Sequence, residues 1–593
     1  MMSFALRPTA NHGCNFKPGN KRGKVNVEPF SPISGTTPAI SKYEAILAAG
    51  LFALIFALHW LYLNHFRWDS DELQHLHVLW AWGSGLLPYR DVFDNHSPLF
   101  HWLCSPVFAW LGERPDIVTP MRWMMVPLFL ISLWCVYMLG ATVFSPRVGL
   151  WAAVSTALEP KYSLLTVEFR TDNLWTTLWL VTLVVLLTGR LTPKRLLIAG
   201  LLFGAAFGVS MKTTVLALTV LAAGAGTWAL AFQSHRTLLT GKRLWQSFGT
   251  GTVAVLGGLA VVPGLILLFF ASKGALRELY YCVIEHNLLP DKNSPLNTLE
   301  HFVTVAWIFA PVAGITFVVA KHETVSTRAL RKCFFLLTVG FFWPTLYGLW
   351  TTILRQTQMP GIPISAVAAS ALLVWVSTWL PNIFRYWTPP FLLLLIAGLI
   401  EPDWTVDACR LYGGQYDRDL AIIRDVGALT TPGECVMDAK GETIFRRRPY
   451  YYAFEGFTEE RIERGLLANT VPRRLVETRT AVCNPSTRFG EATLSFIEHN
   501  YLRVGQIAVA GKMIAPSPDG RVEFDVVIPQ RYTLVSCEGP MSGNLDETPF
   551  QGDRELAAGR HEFVPDRPTK QIALLWARAW QKGYSPFKQA NQL

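Results

Sequence analysis

The sequence is short of charge for its length, and acidic residues are missing from one long stretch. Only 16% of its 593 residues are Asp, Glu, Lys or Arg, while 51% are hydrophobic. No Asp or Glu lies between residues 173 and 277. A soluble protein of this size carries more charge than this. The composition therefore excludes a purely soluble protein and predicts a membrane protein with a soluble region attached.

The nine cysteines lack the spacing of a metal site. The sequence contains no CxxC motif and no cluster of Cys and His, so it carries no zinc or iron–sulfur signature. Cys409, Cys435, Cys483 and Cys537 lie in the region after residue 400, which we predict to be outside the cytoplasm. Disulfides are permitted there, but the sequence does not determine their pairing.

Apolar runs of membrane-spanning length recur up to about residue 400 and then stop. No small-residue cleavage site follows the first run, which predicts an uncleaved anchor behind a basic cytoplasmic tail. We predict eleven spans, at roughly 44–63, 123–144, 148–165, 173–189, 196–211, 214–232, 247–271, 302–320, 333–351, 361–380 and 386–400.

The distribution of charge predicts the orientation of these spans. With the N-terminus in the cytoplasm, the loops rich in Lys and Arg fall inside, as the positive-inside rule requires. Of the seventeen acids in residues 1–400, fourteen then face outward. The net charge of +10 therefore reflects orientation in a plasma (inner) membrane, and we expect no nucleic-acid partner.

Four regions follow from these patterns. They are a cytoplasmic tail (1–43), a transmembrane domain (44–400) with an outer loop (65–122), an outer α/β domain (401–505) and an outer β-sandwich domain (506–593). The last region shows period-two alternation between turn residues, which is typical of antiparallel strands. This soluble part would bind glycan, select the acceptor or cap a site in the membrane domain.

Polar residues concentrate in four segments that reach the outer face. Segments 65–122, 159–172, 273–301 and 352–360 are therefore candidates for one shared site. Within "WDSDELQHLHVLWAWG", Asp71 and His75 are four residues apart and share a helix face, whereas Glu72 points about 100° away. Leu73, Leu76, Leu79 and Trp80 recur at helical spacing, which predicts a helix lying along the membrane interface.

Two simpler interpretations of this segment stay open. The acids can cap the start of a helix, where the helix dipole favours carboxylates. The histidines fit hydrogen-bonded structural groups better than metal ligands, because His75 and His77 do not converge on a helix.

The order of these motifs resembles a known superfamily. An Asp-Glu pair after the first span, then Gly, Pro-Tyr and "NHSPLFHW", resembles the GT-C fold polyprenol-phosphate-dependent glycosyltransferases, closest to the protein O-mannosyltransferase and lipid A aminoarabinose transferase superfamily. The likeness extends to "RTDNLWTT", "GAAFGVSMKTTVLAL" and "QMPGIPISA" and covers about residues 44–400. It implies transfer of one sugar from a lipid phosphate to a hydroxyl at the outer membrane face, usually with inversion.

The resemblance implies roles for individual residues. Asp71 matches the base that takes the proton of the acceptor hydroxyl, and Asp172 matches a second acid, although Asp172 can equally cap the next helix. Lys212 and Arg355 would hold the phosphate or would instead extend to lipid headgroups. The residues predicted to bind substrate are Glu72, His96, Lys212, Arg355, Gln358, Glu285 and His286, with His96 standing where relatives have Lys.

The cofactor and partners follow from the same resemblance. We expect no cofactor, although a related branch, the oligosaccharyltransferases, gathers a divalent metal, and Asp71, Glu72 and Asp172 leave that alternative open. The expected partners are a polyprenyl-phosphate-sugar donor, a lipid, glycan or protein acceptor, and the bilayer.

Two other classes of function remain as alternatives. One is a multispan lipid-linked sugar transporter or flippase, and the other is an inactive scaffold that displays the outer domain. A transporter should carry ionisable residues near the middle of its spans. The acid-free stretch and the polar residues on one face favour an enzyme at an interface instead.

Overall fold

The structure is a computed structural model in which the membrane part and the outer part can be followed through most of their length. The predicted spans at 302–320 and 386–400 lie outside the described residues, as do Cys409 and the tail up to residue 39. The described residues are 40–234, 242–289, 327–350, 353–378, 381, 414–516, 520–567, 569 and 571–587.

The described membrane part is built mainly of helices. Helices long and apolar enough to cross a bilayer occupy Lys42–His65, Val118–Val143, Thr213–Leu230, Gly249–Ser272 and Arg328–Leu349. In chain order the helices are α1 Lys42–His65, α2 Ser70–Gly83, α3 Leu99–Leu111, α4 Val118–Trp123, α5 Val126–Val143, α6 Pro146–Leu158, α7 Pro160–Val167, α8 Thr171–Leu187, α9 Pro193–Val209, α10 Thr213–Ser234, α11 Lys242–Ser272, α12 Leu276–Tyr280, α13 Thr327–Leu349 and α14 Gly361–Ser377. The predicted class, a polytopic α-helical membrane protein, is confirmed.

The single span predicted at 148–165 is two helices, α6 and α7. Glu159 between them has an extended backbone (φ −66°, ψ 120°), because the residue before a proline is driven out of the helical region. Its carboxylate accepts from the amide of Tyr162 at 2.6 Å and so caps α7. A hydropathy profile does not reveal this break, because the helices on both sides of it are apolar.

Glycines bring α9 and α11 into very close contact. A Cβ at Gly200 would lie 2.1 Å from the Val255 carbonyl oxygen, and one at Gly258 would lie 2.2 Å from the Leu197 carbonyl oxygen. Small residues at such positions let helix backbones approach each other in a membrane. The pair therefore depends on the absence of side chains at these positions.

We expect Gly258→Ala to lower the thermal stability of the purified protein in detergent, because the added methyl group forces α9 and α11 apart. Gly257→Ala is the matched control, since a Cβ at Gly257 has no atom within 4 Å. Melting by intrinsic fluorescence measures both variants. An equal melting temperature for the two variants would contradict this account of the helix pair.

The helix α2 lies inside the protein. Ten of its fourteen residues are buried, including Leu76 and Leu79 with no exposure. Its apolar residues therefore pack against protein, and its position along the membrane interface stays a prediction. The outer region contacts α2, since the Nδ1 atom of His77 lies 2.8 Å from the carbonyl oxygen of Ile444.

The outer region begins, in the described residues, with α15 Gln415–Leu429. Its other helices are α16 Gly456–Glu463, α17 Val471–Glu477, α18 Glu491–Asn500 and α19 Ala577–Gln581. Its strands are β1 Val436–Met437, β2 Val482–Cys483, β3 Tyr501–Val504, β4 Ile507–Ile514, β5 Val522–Val526, β6 Gln530–Ser536, β7 Gly539–Pro540, β8 Ser542–Leu545, β9 Thr548–Gln551, β10 Asp553–Leu556, β11 Gly559–Pro565 and β12 Ile572–Trp576.

The predicted division of the outer region at residue 505 differs from the observed sheet. One sheet runs β1-β2-β4-β12-β6-β10, so strands from both sides of residue 505 pair in it. A second sheet runs β5-β11-β8-β9, and apolar residues of both sheets share one core. The strand-rich region is confirmed, but its two parts form a single folded body because β4 pairs on both sides.

Candidate functional site

The first turn of α2 shows how its three acids divide their tasks. The Asp69 carboxylate accepts from the amide of Asp71 at 2.9 Å, and the Asp69 amide donates to Glu72 Oε2 at 3.0 Å. Asp69 and Glu72 therefore form the cap. The capping interpretation holds for these two acids, whereas the Asp71 side chain is directed elsewhere.

Glu72 is an internal ion-pair partner with no solvent exposure. Its oxygens accept from Arg122 at 2.7 and 2.5 Å and from the amide of Phe169 at 2.7 Å. Arg122 also donates to the carbonyl oxygens of Phe66 and Arg67, at 2.9 and 2.7 Å. Glu72 was predicted to bind substrate, but these contacts join three segments of the outer face to one another.

We expect Glu72→Gln to destabilise the protein by about 3–5 kcal/mol, because it leaves the buried Arg122 guanidinium without its counter-charge. Denaturation followed by circular dichroism measures the change. Glu460→Gln, which removes the partner of the half-exposed Arg464, should cost less than about 1 kcal/mol. A similar decrease in the free energy of unfolding for both variants would show that the buried pair stabilises the protein no more than the exposed pair does.

Asp71 is held by two cations. Arg170 donates to its Oδ2 atom, and Lys440 of the outer region donates to its Oδ1 atom. The Asp71 side chain is 20% exposed to solvent. Burial alone would raise the pKa of Asp71, but Lys440 and Arg170 outweigh it and hold the pKa well below its usual range. Asp71 is therefore ionised at neutral pH.

Arg170 joins four acids. Besides Asp71 it contacts Asp69 at 3.0 Å, Glu168 at 2.9 Å and Asp172 at 3.6 Å. Burial and the charge of Asp69 raise the pKa of Glu168 to about 8 in spite of Arg170. Glu168 is thus largely protonated near neutral pH, so the acids of this cluster do not all carry charge at once.

Asp172 and Lys212, both predicted site residues, meet in an ion pair at 2.5 Å. Lys212 also lies 5.1 Å from the ring centre of Trp175, over its face. The N-cap of α8 is Arg170 and carries no side-chain cap hydrogen bond, so the alternative that Asp172 caps this helix is wrong. The two charges lie at the N-terminal end of α8 and just before the start of α10.

A half-open cleft of about 310 Å³ lies beside this cluster. Three of the four segments predicted to share a site line it: the outer loop, the 159–172 segment and the 352–360 segment. Its charged lining is formed by Arg67, Asp69, Lys161, Glu168, Arg170 and Arg355, and its apolar wall includes Phe66, Leu164 and Leu165. Gln356 lines the cleft. Gln358, the glutamine predicted to bind substrate, is half-buried and is not among the lining residues.

The fourth predicted segment joins the outer loop on another side. Asn287 donates to the carbonyl oxygen of Asn95 at 3.0 Å. His286 is buried and lies 2.9 Å from Glu455 of the outer region, and the Glu285 carbonyl oxygen accepts from Arg461 at 2.7 Å. These contacts attach the segment to the outer region, and substrate binding by Glu285 and His286 stays a prediction.

The histidines of the outer loop form a cluster with Asp94. His96 Nδ1 lies 2.9 Å from Asp94 Oδ1, and His75 Nδ1 lies 3.2 Å from His101 Nε2. Burial and the neighbouring His96 and His101 hold the pKa of His75 well below its usual range, so His75 is neutral. The structural interpretation fits His75 and His77, and His96 remains the residue predicted to face the phosphate.

The acids suggested as metal ligands are engaged with cations. Asp71 pairs with Lys440 and Arg170, and Glu72 and Asp172 have their own partners. Among the residues that the structure describes, no group of three or more His, Cys, Asp or Glu is arranged to hold a metal ion. These three carboxylates are paired with cations in this arrangement, and the expected absence of a cofactor stays a prediction.

Sequence reasoning missed Arg122, Arg170 and Lys440. Arg170 stands two residues before Asp172 in the quoted "RTDNLWTT" motif, and that proximity to a predicted acid was a usable signal. Lys440 lies 369 residues from Asp71 in sequence, and no local pattern connects the two.

Part of the chain matches the sequence model of a known family. Residues 95–266 match the sequence model of the dolichyl-phosphate-mannose-protein mannosyltransferase family. The matched segment contains His96, Asp172 and Lys212. The predicted resemblance to GT-C glycosyltransferases is confirmed, and the chain is a multipass membrane protein similar to that class of transferase.

Among solved structures, ArnT from Cupriavidus metallidurans is similar in the apo state (13% identity, 78% of this chain and 98% of that chain covered, TM-score 0.49). The same protein bound to undecaprenyl phosphate gives 12% identity, 79% and 97% coverage and a TM-score of 0.49. AglB, the oligosaccharyltransferase of Archaeoglobus fulgidus, is similar in its complex with an inhibitory peptide and a dolichol-phosphate. The identity is 12%, the match covers 81% of this chain and 74% of that chain, and the TM-score is 0.46. No curated protein sequence matches this chain.

Proposed function

We propose that this protein transfers one sugar from a polyprenyl-phosphate donor to a hydroxyl acceptor at the outer face of the plasma membrane. The observation that carries the proposal is the Asp71 carboxylate, which is held by Lys440 and by Arg170, a residue that also lines the cleft. The acceptor is an envelope glycan, a lipid or a protein. The family match over residues 95–266 supports the same reaction class.

Asp71 has the chemistry of the base. Two cations occupy one site on each of its oxygens, but each carboxylate oxygen has two lone pairs, and the side chain is 20% exposed. An acceptor hydroxyl can therefore donate to it. Asp71 takes the hydroxyl proton as the acceptor oxygen bonds to the anomeric carbon, and the bond from that carbon to the phosphate oxygen breaks. A single displacement of this kind inverts the anomeric centre.

The cleft supplies the charge that the leaving phosphate needs. Arg67, Lys161 and Arg355 line it at the membrane edge, where a lipid-linked phosphate would enter. Cations held in place before the reaction stabilise negative charge as it develops, with little further reorganisation. The apolar wall at Leu164 and Leu165 suits the first part of a prenyl chain.

We expect Asp71→Asn to reduce sugar transfer at least about 100-fold, because the amide cannot accept the hydroxyl proton. The assay uses proteoliposomes containing the purified protein and a panel of polyprenyl-phosphate sugars. Asp525→Asn, at an exposed position of β5, is the matched control and should keep wild-type activity. Unchanged transfer by Asp71→Asn would remove Asp71 from the reaction, and donor movement across the bilayer without bond cleavage would favour the transporter instead.

We expect Arg355→Gln to raise the KM for the lipid donor by about tenfold with a smaller change in kcat, because a charge-assisted hydrogen bond to the phosphate is lost. Initial rates at varied donor concentration measure the split between KM and kcat. Arg531→Gln, at an exposed position of β6, should change neither parameter. A donor KM equal to that of the wild type would show that Arg355 does not contact the phosphate.

A further inference from the structure

A segment of the outer region, residues 438–448, reaches the membrane domain at three points. Lys440 contacts Asp71, the Ile444 carbonyl oxygen lies 2.8 Å from His77 Nδ1, and Arg446 lies 3.1 Å from Glu113. Two of these contacts fall on α2, which carries the proposed base. We call residues 438–448 the docking segment.

The docking segment has a fixed shape. The Asp438 carboxylate accepts from the Gly441 and Thr443 amides, each at 2.8 Å, and from the Thr443 hydroxyl at 2.6 Å. Gly441 has a positive φ of 96°, and a Cβ there would lie 2.7 Å from the Cβ of His77. The backbone that carries Lys440 is therefore closed by internal hydrogen bonds and seated directly against α2.

Lys440 is an unusual lysine. Its side chain is only 7% exposed, and a buried ammonium group requires a counter-charge nearby. The carboxylate that its ammonium group contacts belongs to Asp71, while its backbone amide donates to Glu442 Oε2 at 2.8 Å. The contact joins the outer region to the one carboxylate that the proposed reaction uses, and the long, flexible lysine stem reaches it from a rigid loop.

We infer that Lys440 is a positioning residue of the transferase site: its ammonium on Oδ1 and the Arg170 guanidinium on Oδ2 fix the orientation of the Asp71 carboxylate. This inference rests on the proposed function. The outer region thus completes the site, because it supplies one of the two cations that hold the base.

The charges around Asp71 set the expected effect of removing Lys440. Asp71 faces Lys440, Arg170 and His75, and Lys440 in turn interacts with Glu455 and Glu459. Burial raises the pKa of Asp71, while Lys440 and Arg170 lower it by a larger amount. Loss of Lys440 therefore raises this pKa, and the base becomes protonated at a higher pH than in the wild type.

The experiment compares Lys440→Met and Lys440→Arg with the wild type in full-length protein in proteoliposomes, using the donor that the wild type accepts. We expect Lys440→Met to lower kcat at least about tenfold and to move the acidic limb of the kcat/KM profile up by about one pH unit or more. Lys440→Arg keeps the positive charge, so its acidic limb should stay near that of the wild type. Lys582→Met, at an exposed lysine of the same region, should match the wild type.

An acidic limb that Lys440→Met leaves in place would overturn the inference, even if the rate falls at every pH, because a purely structural lysine lowers activity without moving the pKa of the base. In that case the wild-type protein still transfers sugar, and the proposed function stands. If the wild type transfers no sugar from any donor, the proposed function fails, and this inference fails with it.

Infrared spectroscopy gives a reading that does not depend on activity. The band of the protonated Asp71 carboxyl group is assigned as the band that is missing in Asp71→Asn. The intensity of this band is then measured as pH falls, in the wild type and in Lys440→Met. We expect the band to appear at a higher pH in Lys440→Met. Appearance at the same pH in both proteins would show that Lys440 does not control the charge of Asp71. Lys440→Gln, which keeps a polar end, serves in the same comparison if the methionine variant is poorly folded.

Discussion

Arg170 is the charge on which the acidic cluster at the starts of α2 and α8 depends. Its guanidinium contacts Asp69, Asp71, Glu168 and Asp172, which lie on two separate segments of the chain. Carboxylates brought together in a poorly solvated place repel one another and lose hydration, so they need a cation among them. An arginine suits this position because its planar group stays charged and offers five donors in fixed directions.

The acids around this arginine fall into two kinds. Glu72 is buried and joins α2 to α4 and to the segment before α8 through Arg122 and the Phe169 amide. Asp71, one residue earlier, keeps partial exposure because successive helix positions point about 100° apart. The same turn of helix therefore provides both a structural anchor and a partly exposed carboxylate, the proposed base, and the rigidity of the first keeps the second in place.

The outer region is part of this arrangement. Its docking segment covers α2, and the buried His286 and Glu455 pair attaches it at a second place. The apolar residues of α2 share one core with residues of the membrane helices and with Ile444 and Phe445 of this region. Water is reduced around Asp71 for the same reason, which strengthens the effect of each nearby charge.

The amino-acid sequence by itself determined the helical membrane class, the strand-rich outer region and the residues that resemble a transferase motif, including Asp71, Asp172 and Lys212. These features are local, since a span needs only a run of apolar residues and a motif only a short spacing. Tertiary structure alone decided that Lys440 pairs with Asp71 across 369 residues and that Arg170 gathers the acids. It also decided that strands on both sides of residue 505 share one sheet. The partner of a charge or of a strand depends on which distant segments pack together, and no local pattern carries that information.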